Sequence, residues 1–552
     1  MEPVNTATQT ILQSQEQGQA QNPAQAHKRT PNPMFVFMGA GSLIYAFFYT
    51  LLLYRNHSGI TFPFFVGGTC FFFFCYLKKC GITAGKDRIL PVVGLMLLGI
   101  STCLTDSPSI LFLNRLGVLL LFFYLFFHHF YEDGDWSPGR YLRAFVTTVV
   151  SCFRRLLRPV QDLRLFLSAG QTGDSYRKSR ERTRDVIKGI LLSLPLLAVI
   201  LHLLGSADIV FADLIRRTFR FEFDPGEDPV GILSMLLFSF LAAYTLMCSL
   251  SERAVKEPSS EAKKGAPATA ITVTSILCTV YALFCYIQIF YLFIGAGRLP
   301  EGFTYAAYAR EGFFQLFYVC LLNLSVVLFC RSRYREHRIL KGTLTFICLC
   351  TYIMIASSAY RMLLYIDVYY LTFLRLFVLW ALFVIFLLTG GAVLLIYRDG
   401  FPYARYSLLV LLVCYLPFSL ARPDYWIARY NLSYALPKKE AQLPNAQARQ
   451  HFQDFYYISH LSADAAPIIY RRAEALGYTQ DDWFMEYQWD LFRQNYREAN
   501  VAMPYSGYWF FEAEMSSEEP VPLQKTPVRK WNFSRQAAYE AFRDYNYTTG
   551  YF

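Results

Sequence analysis

The stretch Arg298–Asn323, RLPEGFTYAAYAREGFFQLFYVCLLN, gathers the most chemistry into the fewest residues. Pro300 and Gly302 make its start a loop, and its end runs into an apolar helix. Arg310 and Glu311 sit at the join, Gln315 lies one turn further in on the face of Glu311, and Asn323 lies deeper. A charge pair at the mouth of a membrane helix is costly unless it is paired or wet. The loop adds Arg298, Glu301, Tyr305 and Tyr308. A second segment, 361–371, is expected to be a loop on the same side and supplies Arg361, Tyr365, Asp367, Tyr369 and Tyr370, with Arg375 entering the next helix. Arginine grips a carboxylate or phosphate through a two-pronged hydrogen bond. The cluster therefore predicts a site for an anionic ligand such as a lipid headgroup. The competing reading is an internal Glu311–arginine network that fixes helix packing.

Other candidates carry less. Gly81–Lys86 has three residues between its glycines, and Asp87 where a phosphate loop needs Ser or Thr. His128, His129, Glu132, Asp133 and Asp135 crowd one span end, which suits interfacial polar residues better than a metal. Gly39-Ala-Gly-Ser42 reads as small residues for close helix packing. Asp208 and Asp213 with Arg216, Arg217 and Arg220 read as an interfacial half-helix. No catalytic residue, metal ligand or cofactor is assigned.

The elements that position these residues are apolar. The chain is 54% hydrophobic, and its long apolar runs do not alternate with polar residues, which points to helical membrane spans and away from a β-barrel. Runs at 34–54, 60–77, 89–105, 110–131, 187–205, 230–250, 270–295, 312–330, 343–360, 372–397 and 404–421 predict about eleven spans in an all-α bundle. The net charge of +11 comes mostly from short loops, where it sets topology and is no sign of nucleic-acid binding. Lys78, Lys79, Lys86 and Arg88, the twelve basic residues from Arg140 to Lys188, and Arg331 to Lys341 alternate with basic-poor loops. That pattern places the N-terminus inside and the C-terminus outside.

Residues 1–33 form a polar, Gln-rich arm, expected to be disordered and cytoplasmic. The bundle occupies 34–422, its first run being an uncleaved anchor. Within it, the inner loop 132–186 holds a basic amphipathic helix over 141–167, with Leu142, Phe145, Val149, Phe153, Leu156 and Leu157 at helical spacing among arginines. Such a helix suits an anionic inner leaflet. Gly170–Arg184 follows as a basic linker. The tail, 423–552, is expected to be a small helical extracytoplasmic domain, with helices at 463–476, 479–497 and 533–545, N-caps at Ser462 and Thr479, and sequons at Asn431, Asn532 and Asn546. The thirteen Cys lie at or before Cys414 and read as small apolar residues.

Arg298–Gln315, SAYRMLLYIDVYYLTFLR (Ser358–Arg375), WIARYNLS (Trp426–Ser433) and YISHLSADAAP (Tyr457–Pro467) resemble an uncharacterised bacterial family of polytopic inner-membrane proteins with a domain of unknown function. The family pattern has Gly where this chain has Tyr370. The resemblance spans roughly residues 60–470. It implies a multispan fold in the bacterial cytoplasmic membrane with an outer helical tail, and no catalytic residue.

Three functions fit. The first is a non-enzymatic envelope sensor, scaffold or regulator that binds a lipid, a wall component or, through its tail, a protein partner. The second is a transporter or flippase of an anionic or amphipathic substrate, although no internal repeat is evident. The third is a membrane-embedded transferase, for which only Asp213, Glu311 and Asp367 are reachable acids.

Overall fold

A computed structural model describes residues 34–168, 229–255, 265–289, 313–435, 457–476 and 531–541, except 57, 83, 84, 86, 87, 135, 254, 256–264, 459 and 539. The arm 1–33, the expected span at 187–205, the linker from Gly170, the loop 296–311 and the helix at 479–497 lie outside the described residues. The helices in chain order are α1 (Phe35–Leu53), α2 (Thr61–Lys79), α3 (Ile89–Leu104), α4 (Pro108–Phe130), α5 (Pro138–Arg154), α6 (Arg158–Ser168) and α7 (Pro229–Ser251). They continue as α8 (Pro267–Gln288), α9 (Phe313–Arg333), α10 (Arg338–Tyr369), α11 (Phe373–Tyr397), α12 (Tyr403–Leu420), α13 (Pro423–Tyr430) and α14 (Ala466–Leu476). Two compact units emerge. The smaller contains residues 34–41 and 155–168, where the rings of Phe35 and Phe166 pack 5.2 Å apart. The larger contains the rest.

Nine helices among the described residues are long and apolar enough to cross a membrane: α1, α2, α4 and α7 to α12. Hydrocarbon offers no water to a peptide group, so each run must bond its own backbone as a helix. Pro108, Pro267 and Pro423 open α4, α8 and α13 at a position where the missing N–H has no helical partner to lose. α3 has 16 residues, or about 24 Å. It is shorter than the hydrocarbon layer and packs among α2, α4 and α12.

Two expectations about helix limits are corrected. α10 does not stop near residue 360 but continues to Tyr369, so Arg361, Tyr365 and Asp367 are helical and not in a loop. Its sequence from Ser358 to Tyr369 has no Gly or Pro, and Met362 and Ile366 prolong its buried face. The amphipathic stretch is two helices, α5 and α6, because Pro159 cannot continue the helix that ends at Arg154.

The bundle is braced by apolar packing and by buried polar groups. Gly391 lies against the Tyr406 ring and Gly68 against Phe48, so closely that a Cβ at either would overlap the ring. Asn114 of α4 donates to Ser101 Oγ and Thr102 Oγ1 of α3, both at 3.2 Å. Its carbonyl accepts from Tyr415 and Ser419 of α12 at 2.8 and 2.7 Å. Asn323 of α9 likewise joins Tyr281 of α8 to Thr351 of α10. All thirteen cysteines are free thiols. Replacing Asn114 with Leu keeps the volume but removes four hydrogen bonds, to Ser101, Thr102, Tyr415 and Ser419. The variant should lose about 1–2 kcal/mol of unfolding stability in detergent; an unchanged midpoint would show that the network is idle.

Candidate functional site

Of the residues the sequence singled out, Arg298, Glu301, Tyr305, Tyr308, Arg310 and Glu311 lie outside the described residues. Gln315 is exposed on the first turn of α9, and Asp367 is exposed on α10. Arg361 is buried, and its Nη2 donates to Gln288 Oε1 at 3.2 Å, which also accepts from Ser357 Oγ at 2.7 Å. Arg375 stacks over the Tyr365 ring at 4.3 Å and donates to the carbonyls of Tyr369 and Tyr370. These arginines therefore engage the ends of α8 and α10, and Tyr365, Tyr369, Tyr370 and Arg375 come together.

Those last contacts hold a sharp turn. Tyr370 has φ 66° and ψ 175°, a backbone region nearly exclusive to glycine. Asn431 fastens the next residue from both sides: its Oδ1 accepts from Leu371 N at 3.0 Å and its Nδ2 donates to Leu371 O at 2.8 Å. Phe373 N donates to Tyr457 Oη at 2.8 Å. The Tyr370 ring joins an apolar cluster with Ile427, Leu432, Ile458, Leu461, Ile469 and Ala538. The tail thus docks on the end of the bundle.

The rest of that docking is polar, and sequence reasoning missed it. Asn532 is buried and opens a short helical segment beginning at Phe533. Its Oδ1 accepts from Ser534 N and Arg535 N, the pattern of a helix N-cap. Its Nδ2 donates to Ser58 O and Thr105 O, each at 2.9 Å. One amide thereby caps the tail helix and clamps the α1–α2 and α3–α4 connections. Ile60 N donates to Trp531 O at 2.8 Å, and Arg535 bridges Asp106 at 2.7 Å.

Beside this clamp lies Asp464, 1% exposed. Thr105 Oγ1 donates to its Oδ2 at 2.5 Å, and the buried Ser534 hydroxyl lies beside the carboxyl. Burial pushes the Asp464 carboxyl up to about 7; the Ser534 and Thr105 hydroxyls oppose the rise, and the charges of Asp424 and Asp106 add to it. Asp424 is also buried, accepts from Ser462 Oγ at 2.6 Å, and is raised chiefly by burial. Ser462 therefore serves Asp424 and is not the cap of α14, which begins at Ala466. Asn431 and Asn532, read as sequons, are buried structural amides; Asn546 and Thr479 lie outside the described residues. Asp424 lies two residues before the WIARYNLS segment and Asp464 within YISHLSADAAP, but neither motif announces a carboxyl pair.

At the other end of α4, Asp133 accepts from Tyr141 Oη at 2.5 Å, lies 3.0 Å from His128 Nδ1 and bridges Arg405 at 3.3 Å. Burial alone would raise its pKa, but the bonds from His128 and Tyr141 and the charges of His128 and Arg405 bring it down to about 2. Among the described residues no cluster of His, Cys, Asp or Glu is arranged to hold a metal.

The apolar helices and their polar bracing define an integral, multi-pass membrane protein of the all-helical class. More particularly, the chain belongs to the family described as domain of unknown function DUF4153, whose model matches residues 92–472. Neither curated proteins nor solved structures gave a match. The matched range contains Asp106, Asp424 and Asp464, whereas Asn532 and Arg535 lie beyond it.

The turn at Tyr370 reverses an ordinary ranking. Tyr370→Gly should be more stable than Tyr370→Ala by about 1–3 kcal/mol, because both lose the ring but only glycine relieves the backbone. Denaturant unfolding of the two variants checks this, and equal stability would mean that the turn is unstrained.

Proposed function

We propose that the protein is a non-enzymatic sensor or scaffold of the bacterial cell envelope, N-terminus in the cytoplasm, with its tail-bearing outer end as the working surface. One observation carries the reading: the tail is held on the bundle by buried polar contacts around a sealed carboxyl. A sealed acid cannot reach a substrate, but it can make the position of the tail depend on its surroundings. The transport and transferase readings lean on arginines and acids of the 296–311 and 361–375 segments. Arg375 is committed to backbone carbonyls, which weighs against them.

Docking then depends on protons in a defined direction. The docked Asp464 keeps its proton up to about pH 7, whereas a released one loses it near the ordinary 3.8. Docking is firmest below about pH 4 and weakens by roughly 1.4 kcal/mol per pH unit as the pH rises toward 7, with no further loss above that. Asp424 acts in the same direction. Limited proteolysis of the purified full-length protein, at matched protease activity, should cut the tail more than about tenfold faster at pH 7 than at pH 5. In Asp464→Asn the difference should shrink to the part that Asp424 alone contributes. A flat wild-type profile would remove the sensor and leave a fixed scaffold.

A further inference from the structure

α5 lies across span ends at the end of the bundle away from the tail. Near its start, Tyr141 stacks on Tyr124 at 5.7 Å and Phe145 meets Phe123 edge-on at 4.6 Å, within two turns of the end of α4 at Phe130. Near its finish, Ser151 Oγ lies 3.1 Å from Ser249 Oγ, two residues before the end of α7. Those span ends meet: the rings of Tyr76 and Phe130 stack at 5.8 Å, and Tyr76 Oη donates to Met247 O at 2.7 Å. α5 therefore reaches from α4 to α7 near the ends of both helices.

Its surface divides into sectors at about 100° per residue. Ala144, Thr148 and Ser151 are buried, and their small side chains let α5 sit closely on α7. Leu142, Val146, Val150 and Phe153 occupy another sector about 80° wide, at 66%, 51%, 41% and 69% exposure. Arg143 and Arg154, both exposed and without a partner among the described residues, lie between those sectors, beside Arg140, which stacks on Trp136 at 4.6 Å. One side is thus seated on protein, one is apolar and exposed, and the edge beside the apolar side is cationic with no carboxylate among the described residues to answer it.

We propose that α5 is a docking face for anionic phospholipid: the apolar strip enters the acyl region and Arg143 and Arg154 hold the phosphodiester headgroups. The uncovered strip continues the lipid-facing surface of the bundle, where Leu116, Leu119 and Leu120 of α4 are also exposed. A water-soluble partner would leave that belt broken, and a neutral lipid would leave the two arginines unanswered. The inference does not depend on which way the protein faces or on the role of the tail.

The test uses full-length protein in detergent with equimolar phosphatidylglycerol and phosphatidylcholine, and native mass spectrometry to count retained lipids. The wild type should retain phosphatidylglycerol preferentially. Arg143→Gln with Arg154→Gln should cut that preference by about fivefold for each arginine removed, with the unfolding midpoint in lipid-free detergent unchanged. Arg333→Gln with Arg335→Gln, exposed residues outside α5, should keep the wild-type preference. Leu142→Ser with Phe153→Ser should lower retention of both lipids alike. A wild type without preference, a preference that survives loss of Arg143 and Arg154, or an equal loss in the Arg333 and Arg335 variant would each overturn the proposal.

Discussion

The side-chain amide of Asn532 joins the far end of the chain to two helix connections near its beginning. Its two N–H groups bind the carbonyls of Ser58 and Thr105, and its oxygen caps the helical segment that starts at Phe533. The bonds to Ser58, Thr105 and Ser534 are buried, so those groups have no water to fall back on. Asp464 beneath Thr105, the bridge from Arg535 to Asp106 and the backbone bond from Ile60 to Trp531 all presuppose that the amide is in place. Only an amide offers donors and acceptor together here; a carboxylate would lose both donors and add a charge.

The two ends of the bundle handle buried carboxyls in opposite ways. At the tail end burial and the charges of two other carboxyls favour the neutral form of Asp464, and only hydroxyls oppose them. At the other end Asp133 has a histidine, a tyrosine and an arginine, which favours the anion. The difference lies in the partners, since both groups are removed from water. A neutral acid is held by hydrogen bonds alone, whereas an anion beside an arginine is held by charge as well.

Much of the architecture was legible because membrane helices write themselves as unbroken apolar runs. Among the described residues every such run is a helix, and the amphipathic spacing after residue 138 marks α5. The resemblance also marked Tyr370 as a glycine position, and its backbone has the conformation that glycine favours. What stayed hidden were contacts with no periodicity. Thr105 and Asp464 are 359 residues apart, and Ser58 and Asn532 are 474 apart. No spacing rule connects them, so Asn431 and Asn532 read only as sequons and Asp464 drew no reading of its own. Arg361 and Arg375 looked like ligand grips because a charge near a span end signals function, yet it also serves to satisfy the open carbonyls and amides at helix ends.

Docking of the tail hinges on Asn532. The most direct measurement is amide hydrogen exchange at Ile60, whose N–H is bonded to the carbonyl of Trp531. In the wild type at pH 6 that amide should exchange at least tenfold more slowly than in Asn532→Ala, while the amides within α4 exchange alike in both. If Ile60 exchanges equally fast in the two proteins, the tail does not rest on the bundle, and the sealed carboxyl is not the fastening described.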